Sequence, residues 1–206
     1  DTYLGKQSGA KVLDGLVKRG DGEDVNAVIW FSDLRDSTPL ADSMPRSTFL
    51  RLLDSFFECT AGAVLEHGGE VLRYIGDASL AIFPISEAKE GALVGSALAA
   101  RACETALAAA LEAERRLEEL NARRGAAGEP QLGFGIGLHV GDVLYGNIGT
   151  PERLEFSVIG AAANEAARIE GMCKTLGANL VVSESFARYV PERLRSLGRH
   201  ALRGVG

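Results

Sequence analysis

The sequence predicts an α+β or α/β sandwich built on one mixed sheet, and three observations carry that reading. An apolar run from Ala27 to Phe31 closes on Ser32-Asp33, which marks a buried strand at about 27–32. Around Gly76-Asp77 the chain reads as a hairpin, with strands at 70–75 and 79–83. Long helical stretches at 46–66 and 88–124 separate these strands from later ones. Strands and helices alternate while a hairpin interrupts them, so the sheet is mixed.

Each element has a local reason. Residues 1–25 are glycine-rich and charged, with one amphipathic stretch at Ala10–Val17; they read as a lead-in segment from an upstream region, and 26–206 as the domain proper. Asp36-Ser37-Thr38-Pro39 predicts a turn, and Ser43-Met44-Pro45 a second break that can start a helix. Phe49, Leu50, Leu52, Leu53, Phe56, Phe57, Val64 and Leu65 then recur at helical spacing until Gly68-Gly69 stops them. Residues 88–124 are rich in Ala, Leu, Glu and Arg without proline, as a long helix requires. Gly125–Pro130 is a loop. From Gly133 to Gly141 small and large residues alternate, which predicts a strand packed closely on one face, and Val143–Ile148 continues it after a turn. Glu155–Ile159 is a short strand and 161–176 a helix. A strand at Leu180–Ser183, a short helix near 184–190 and a last strand reaching Arg203 complete the order.

Composition narrows the function classes. The 206 residues carry 46% hydrophobic and 24% charged side chains with a net charge of −6, the profile of a globular domain with a real core. There is no long basic run, so no nucleic acid partner is expected, and a polyanionic ligand would need metals or a local arginine cluster. Cys59, Cys103 and Cys173 are odd in number and far apart, which reads as reduced thiols in a cytoplasmic setting. No apolar run approaches the ~18 residues of a membrane span. The chain starts at Asp1 rather than Met and reads as a fragment, leaving room outside it for a sensor or membrane anchor.

The most informative residues are two aspartates. Asp33 ends the buried strand and Asp77 sits in the hairpin turn. A strand that closes on a carboxylate must put that charge at the sheet rim, in water or on a cation. If the two strands are neighbours, both carboxylates reach one rim, ready for Mg²⁺ or Mn²⁺. Taken singly, each also reads as an N-cap or a turn residue. On the 161–176 helix, Asn164 and Arg168 share a face at i, i+4.

Five blocks meet one family in order: Phe31-Ser32-Asp33-Leu34-Arg35-Asp36-Ser37-Thr38, Arg73-Tyr74-Ile75-Gly76-Asp77-Ala78, Gly146-Asn147-Ile148-Gly149, Ser157-Val158-Ile159-Gly160, and Asn164-Glu165-Ala166-Ala167-Arg168-Ile169-Glu170. Over 26–206 the chain resembles the class III adenylate/guanylate cyclase catalytic domain. The resemblance implies a ferredoxin-like palm core (βαββαβ) and a head-to-tail homodimer with shared active sites. It implies that Asp33, Asp77 and the carbonyl of Leu34 hold two Mg²⁺ or Mn²⁺ ions per active site. These would activate the ribose 3′-hydroxyl and neutralise the leaving pyrophosphate as ATP closes to cyclic AMP. It assigns Asn164 to the ribose and Arg168 to the α-phosphoryl group, both from the opposite subunit. Arg203 and Arg153 are matched to the terminal phosphates, and the loop 34–38, with Ser37 and Thr38 at a helix start, to a phosphate cradle.

Two departures bear on substrate. Where the family commonly has Gly-Phe-Thr, this chain has Asp36-Ser37-Thr38, which adds a carboxylate that must face away or engage a metal. The base-reading positions hold Arg73 in place of the usual lysine and Ser157 in place of aspartate. A hydroxyl at the second position resembles a bacterial adenylate cyclase subgroup, and Ser157 can accept from the adenine amino group. The same pair could also serve guanine, so guanylate cyclase is an alternative. A catalytically weak, dimerising cyclase-homology domain is another. A diguanylate cyclase or palm polymerase ranks below these, because Gly-Gly-Asp-Glu-Phe is missing.

Overall fold

In the computed structural model the described residues are 22–85, 95–150 and 152–202, without the side chains of 148 and 153–156. The elements run β1 (Gly22–Leu34), α1 (Ser37–Asp42), α2 (Arg46–Glu66), β2 (Glu70–Ile75), β3 (Ala78–Pro84), α3 (Ser96–Ala126), β4 (Phe134–Thr150), β5 (Arg153–Ile159), α4 (Ala161–Leu176), β6 (Leu180–Val182) and α5 (Glu184–Ala187), then a 3₁₀ turn at Pro191–Arg193. They form one six-stranded sheet in the order β2-β3-β1-β4-β5, with β6 parallel to β4 and every other pair antiparallel. The first four strands with α2 and α3 follow the βαββαβ ferredoxin-like path, and the expected α+β palm core is present.

Strand alternation divides β1 between two cores. Val28, Trp30 and Leu34 face α2 and α3, packing with Phe56, Val64, Leu107, Ala110, Ile136 and Leu138. Ala27 and Ile29 face the other way, onto Ile82, Val143, Tyr145, Val158 and Ala166. Asp33 continues this second series, so its side chain leaves the sheet on the α4 side. In the first series, the buried hydroxyls of Ser32 and Ser79 lie 2.8 Å apart and tie β1 to β3 one residue from Asp33.

Glycines set how closely α4 lies on β4. A Cβ at Gly137 would fall 2.6 Å from both Ala166 O and Glu170 N, and one at Gly141 would fall 2.6 Å from Ala162 Cβ. The small–large alternation of 133–141 is thus the footprint of a helix.

Several boundaries differ from the expected ones. β1 starts at Gly22, not Ala27: its first residues are polar and exposed, and they are held by pairing with Leu144–Gly146 rather than by burial. The turn expected between Gly141 and Val143 is absent, and β4 runs unbroken because Gly141 and Asp142 pair with Ala27 and Asn26. Asn26 Nδ2 donates to Asp142 Oδ1 at 2.7 Å there. Asp36–Pro39 leads directly into α1. The third helix is described from Ser96 onward, and the 88–94 part of its expected span lies outside the described residues. No last strand forms through Leu202, the final described residue, since 194–202 carry no regular structure.

Candidate active site

Register brings the two aspartates together. Asp33 pairs with Ala78 on β3 and with Gly135 on β4, and Asp77 is the residue just before Ala78. Gly76, at φ 65°, provides the left-handed step that turns the hairpin. The carboxyl groups interact as a hydrogen-bonding pair. Burial, the charge of Asp77 and that hydrogen bond push Asp33 up to about 6, while the Leu34 amide pulls the other way. Two carboxylates crowded at a half-buried rim form an oxygen donor set with excess negative charge, which suits a hard divalent cation. Among the described residues, no three His, Cys, Asp or Glu side chains are arranged to hold an ion, so the acids act as a pair. The Leu34 side chain is buried in the α2/α3 core, leaving only its main chain beside Asp33.

Behind the pair lies a third carboxyl that the sequence did not single out. Glu170 is 8% exposed, and a Cβ on Gly135 would fall 2.0 Å from its Oε1. Glu170 therefore lies over the β4 residue that pairs with Asp33. Burial and then Asp33 push it up to about 7, with Arg35 opposing and Asp77 adding to the rise. Arg35 is anchored by donating from Nη2 to Ala178 O at 2.6 Å. A signal was available: Ala162, Ala166, Ile169 and Cys173 form the buried stripe of α4, and Glu170 is its one acidic member.

The residue in the family's glycine position accounts for itself. Asp36 has φ 53° and ψ 35°, a left-handed conformation that glycine adopts freely and aspartate tolerates better than most. Its exposed carboxylate accepts from Lys174 Nζ at 2.8 Å, so the added charge is engaged from α4. Ser37 and Thr38 open α1, where first-turn N–H groups have no intrahelical partner.

The other expected residues occupy two regions. Arg73 is exposed on β2, opposite Leu80. A bulge between Val71 and Arg73 shifts the register and puts Arg73 on the face of Leu80 rather than of Ser79. Ser157 is buried on β5 opposite Gly146, and β5 approaches β2 as the sheet curls. Asn164 and Arg168 lie about half a turn away from the Ala162–Ala166–Cys173 stripe of α4, so they point away from their own Asp33 and Asp77. The N-terminal half of α4 is pinned by His139, whose Nε2 lies 3.2 Å from Glu165 Oε2 and whose Nδ1 is 3.3 Å from Ser185 Oγ. Burial lowers the His139 pKa, and Glu165 partly offsets this. Arg153 starts β5 opposite Thr150, its side chain not described, and Arg203 lies outside the described residues. One chain thus joins Asp33 to Asp77 but directs Asn164 and Arg168 elsewhere.

A ferredoxin-like sheet with two acids at one rim defines a palm-type domain. Residues 22–203 match the family model of the adenylate and guanylate cyclase catalytic domain, and the chain belongs to that family: it is a nucleotide cyclase catalytic domain. It is 34% identical over 164 residues to an adenylate cyclase of Anabaena cylindrica, covering 78% of this chain and 30% of that protein. The chain therefore spans about a third of that relative's length. Among solved structures, a bacterial light-regulated adenylyl cyclase superposes with a TM-score of 0.79 at 23% identity, covering 97% of this chain and 56% of the other. A guanylyl cyclase does so with a TM-score of 0.71 at 26% identity, covering 89% and 88%. Domains of this family act as dimers on nucleotide substrates and generally use divalent metals. No described helix is long and apolar enough to cross a membrane.

Proposed function

We propose that this domain is an adenylate cyclase, converting ATP to 3′,5′-cyclic AMP and pyrophosphate in a homodimer with two shared sites. The observation that carries the reading is the meeting of Asp33 and Asp77 at one rim while Asn164 and Arg168 face outward from the same chain. Each site then takes its acids from one protomer and its amide and guanidinium from the other.

The donor set fits two Mg²⁺ or Mn²⁺ ions, held by Asp33, Asp77 and the Leu34 carbonyl. Bound there, they supply activation of the 3′-hydroxyl and charge neutralisation on the triphosphate. The chain's own side chains orient and stabilise. Asn164 holds the ribose so that its 3′-oxygen lines up with the α-phosphorus. Arg168 donates to the α-phosphoryl oxygens as charge builds, an interaction whose loss costs ~10²–10³ in rate at comparable sites. Free N–H groups at Ser37 and Thr38 face the phosphates, with Arg153 and Arg203 as further cationic contacts. Arg73 donates to the purine ring and Ser157 accepts from the 6-amino group.

Purified protein with Mn²⁺ is expected to turn over ATP faster than GTP, and Asp77→Ala to abolish both reactions. A faster GTP reaction would move the assignment to guanylate cyclase, which the Arg73/Ser157 pair can also serve. A parent protein inactive on both nucleotides would favour a dimerising regulatory domain.

A further inference from the structure

Tyr145 Oη donates to Glu70 Oε1 at 2.5 Å, and the two residues are only 2% and 4% exposed. They belong to strands that do not pair: β3 and β1 lie between β2 and β4 in the sheet. The bond therefore spans the curl of the sheet instead of following a ladder. Burying a phenol and a carboxyl is costly unless both are satisfied, and an apolar pair would fill the space without that cost. What a short, directional O–H···O bond adds is a fixed separation.

β2 needs one. Among the described residues it is an edge strand laddered with β3 alone, and the bulge at Leu72 breaks that ladder between Val71 and Arg73. Tyr145 is equally well placed at the other end: it pairs with Val158, and the next pair along is Gly146 with Ser157. Glu70 and Tyr145 thus stand within a few residues of Arg73 and Ser157 respectively.

We propose that the Tyr145–Glu70 hydrogen bond is a strut for the purine pocket, holding β2 at a set distance from the β4–β5 ribbon and so governing discrimination between purines. Both are positioning residues and neither touches the base. The inference rests on the reading of Arg73 and Ser157 as the base contacts.

The test compares kcat and KM for ATP and GTP, with melting temperatures, in wild type, Tyr145→Phe, Glu70→Gln and Arg73→Ala. Tyr145→Phe is expected to lower the preference for the favoured purine at least about threefold, through KM, with kcat changed less than about twofold. Glu70→Gln keeps an oxygen acceptor for the phenol and should hold the wild-type ratio. If Tyr145→Phe melts below the assay temperature, Glu70→Met/Tyr145→Phe, which leaves no buried member of the pair unmatched, should show the same loss of preference. A ratio unchanged in Tyr145→Phe or the double variant, while Arg73→Ala alters it, overturns the strut and leaves the pocket reading standing. A ratio unchanged in Arg73→Ala overturns both.

Discussion

At the scale of single residues, the acid pair makes a prediction about pH as well as rate. Asp33 is raised from 3.8 to about 6 and Glu170 from 4.5 to about 7, burial being the first cause of each. A carboxyl that holds its proton more tightly when folded stabilises the protein fully below its unfolded value, and that contribution is lost as pH rises through the folded value. Without metal, the melting temperature should therefore fall between about pH 4 and pH 7 on account of these two groups. Asp77→Asn removes a charge that raises both and should flatten the fall, while Mn²⁺ should raise the melting temperature more at pH 7.5 than at 5.5. Scanning calorimetry with chelator or Mn²⁺ reads this directly, and a slope identical in Asp77→Asn would remove Asp77 as a cause. Asp36 gives a second prediction, in KM. Lys174 neutralises its carboxylate beside the expected phosphate loop. Lys174→Ala should raise the nucleotide KM about two- to fivefold with little change in melting, because exposed pairs contribute only ~0–1 kcal/mol, and Asp36→Gly should lower the KM. Shifts in the same direction would mean that the pair lies away from the phosphates.

At the scale of elements, the contact between β4 and α4 decides how accurately the site is built. Gly137→Ala puts a methyl against main-chain atoms of α4 that cannot rotate aside, Ala166 O and Glu170 N at 2.6 Å. The helix must lift, at a cost of ~1–3 kcal/mol, and Asn164 and Arg168 move with it. Cyclase activity should fall by more than the loss of stability explains. Gly171→Ala on the same helix meets nothing within 4 Å and should be neutral or stabilising by ~0.5–1 kcal/mol; equal activity in both variants would show that the close approach is dispensable. This contact also explains what could be read from sequence and what could not. The alternating glycines announced a closely packed face, and apolar periodicity matched α2 to its observed span. Asp33 and Asp77 were legible because a charge at a buried strand end and another in a hairpin turn are local signals. The turn wrongly expected at Gly141 arose because glycine for helix packing and glycine for a bend look alike in sequence. The polar start of β1 was missed because pairing, not burial, holds it. Glu70 and Tyr145 gave no signal at all, since 75 residues separate them and only the curl of the sheet joins them.

At the scale of the whole molecule, the outward face of α4 is what makes the proposed site one that two copies would share. Phe31, at the end of β1, packs into the core that α4 covers, while Asn164 on the far side of that helix is exposed. No rotamer carries an outward-facing side chain through a packed helix to the opposite rim, so completion from a second copy is the geometric route. Tyr74 and Ile75 on β2, Ile159 on β5 and Leu144 on the neighbouring β4, each 43–53% exposed, are large apolar side chains on or beside the strands that carry Arg73 and Ser157, as a surface covered on dimerisation would show. Rate per subunit should then climb with protein concentration and level off once dimers dominate. Mixing sharpens the point. Asp77→Ala and Arg168→Ala should each be nearly inactive alone, yet combining equal amounts should restore about a quarter of wild-type activity, because half the dimers are mixed and each has one intact site. A monomer that contained its whole site would give no recovery at any ratio. Recovery that follows the mixing ratio, with its maximum at equal amounts, would fix the acids and the arginine on different protomers.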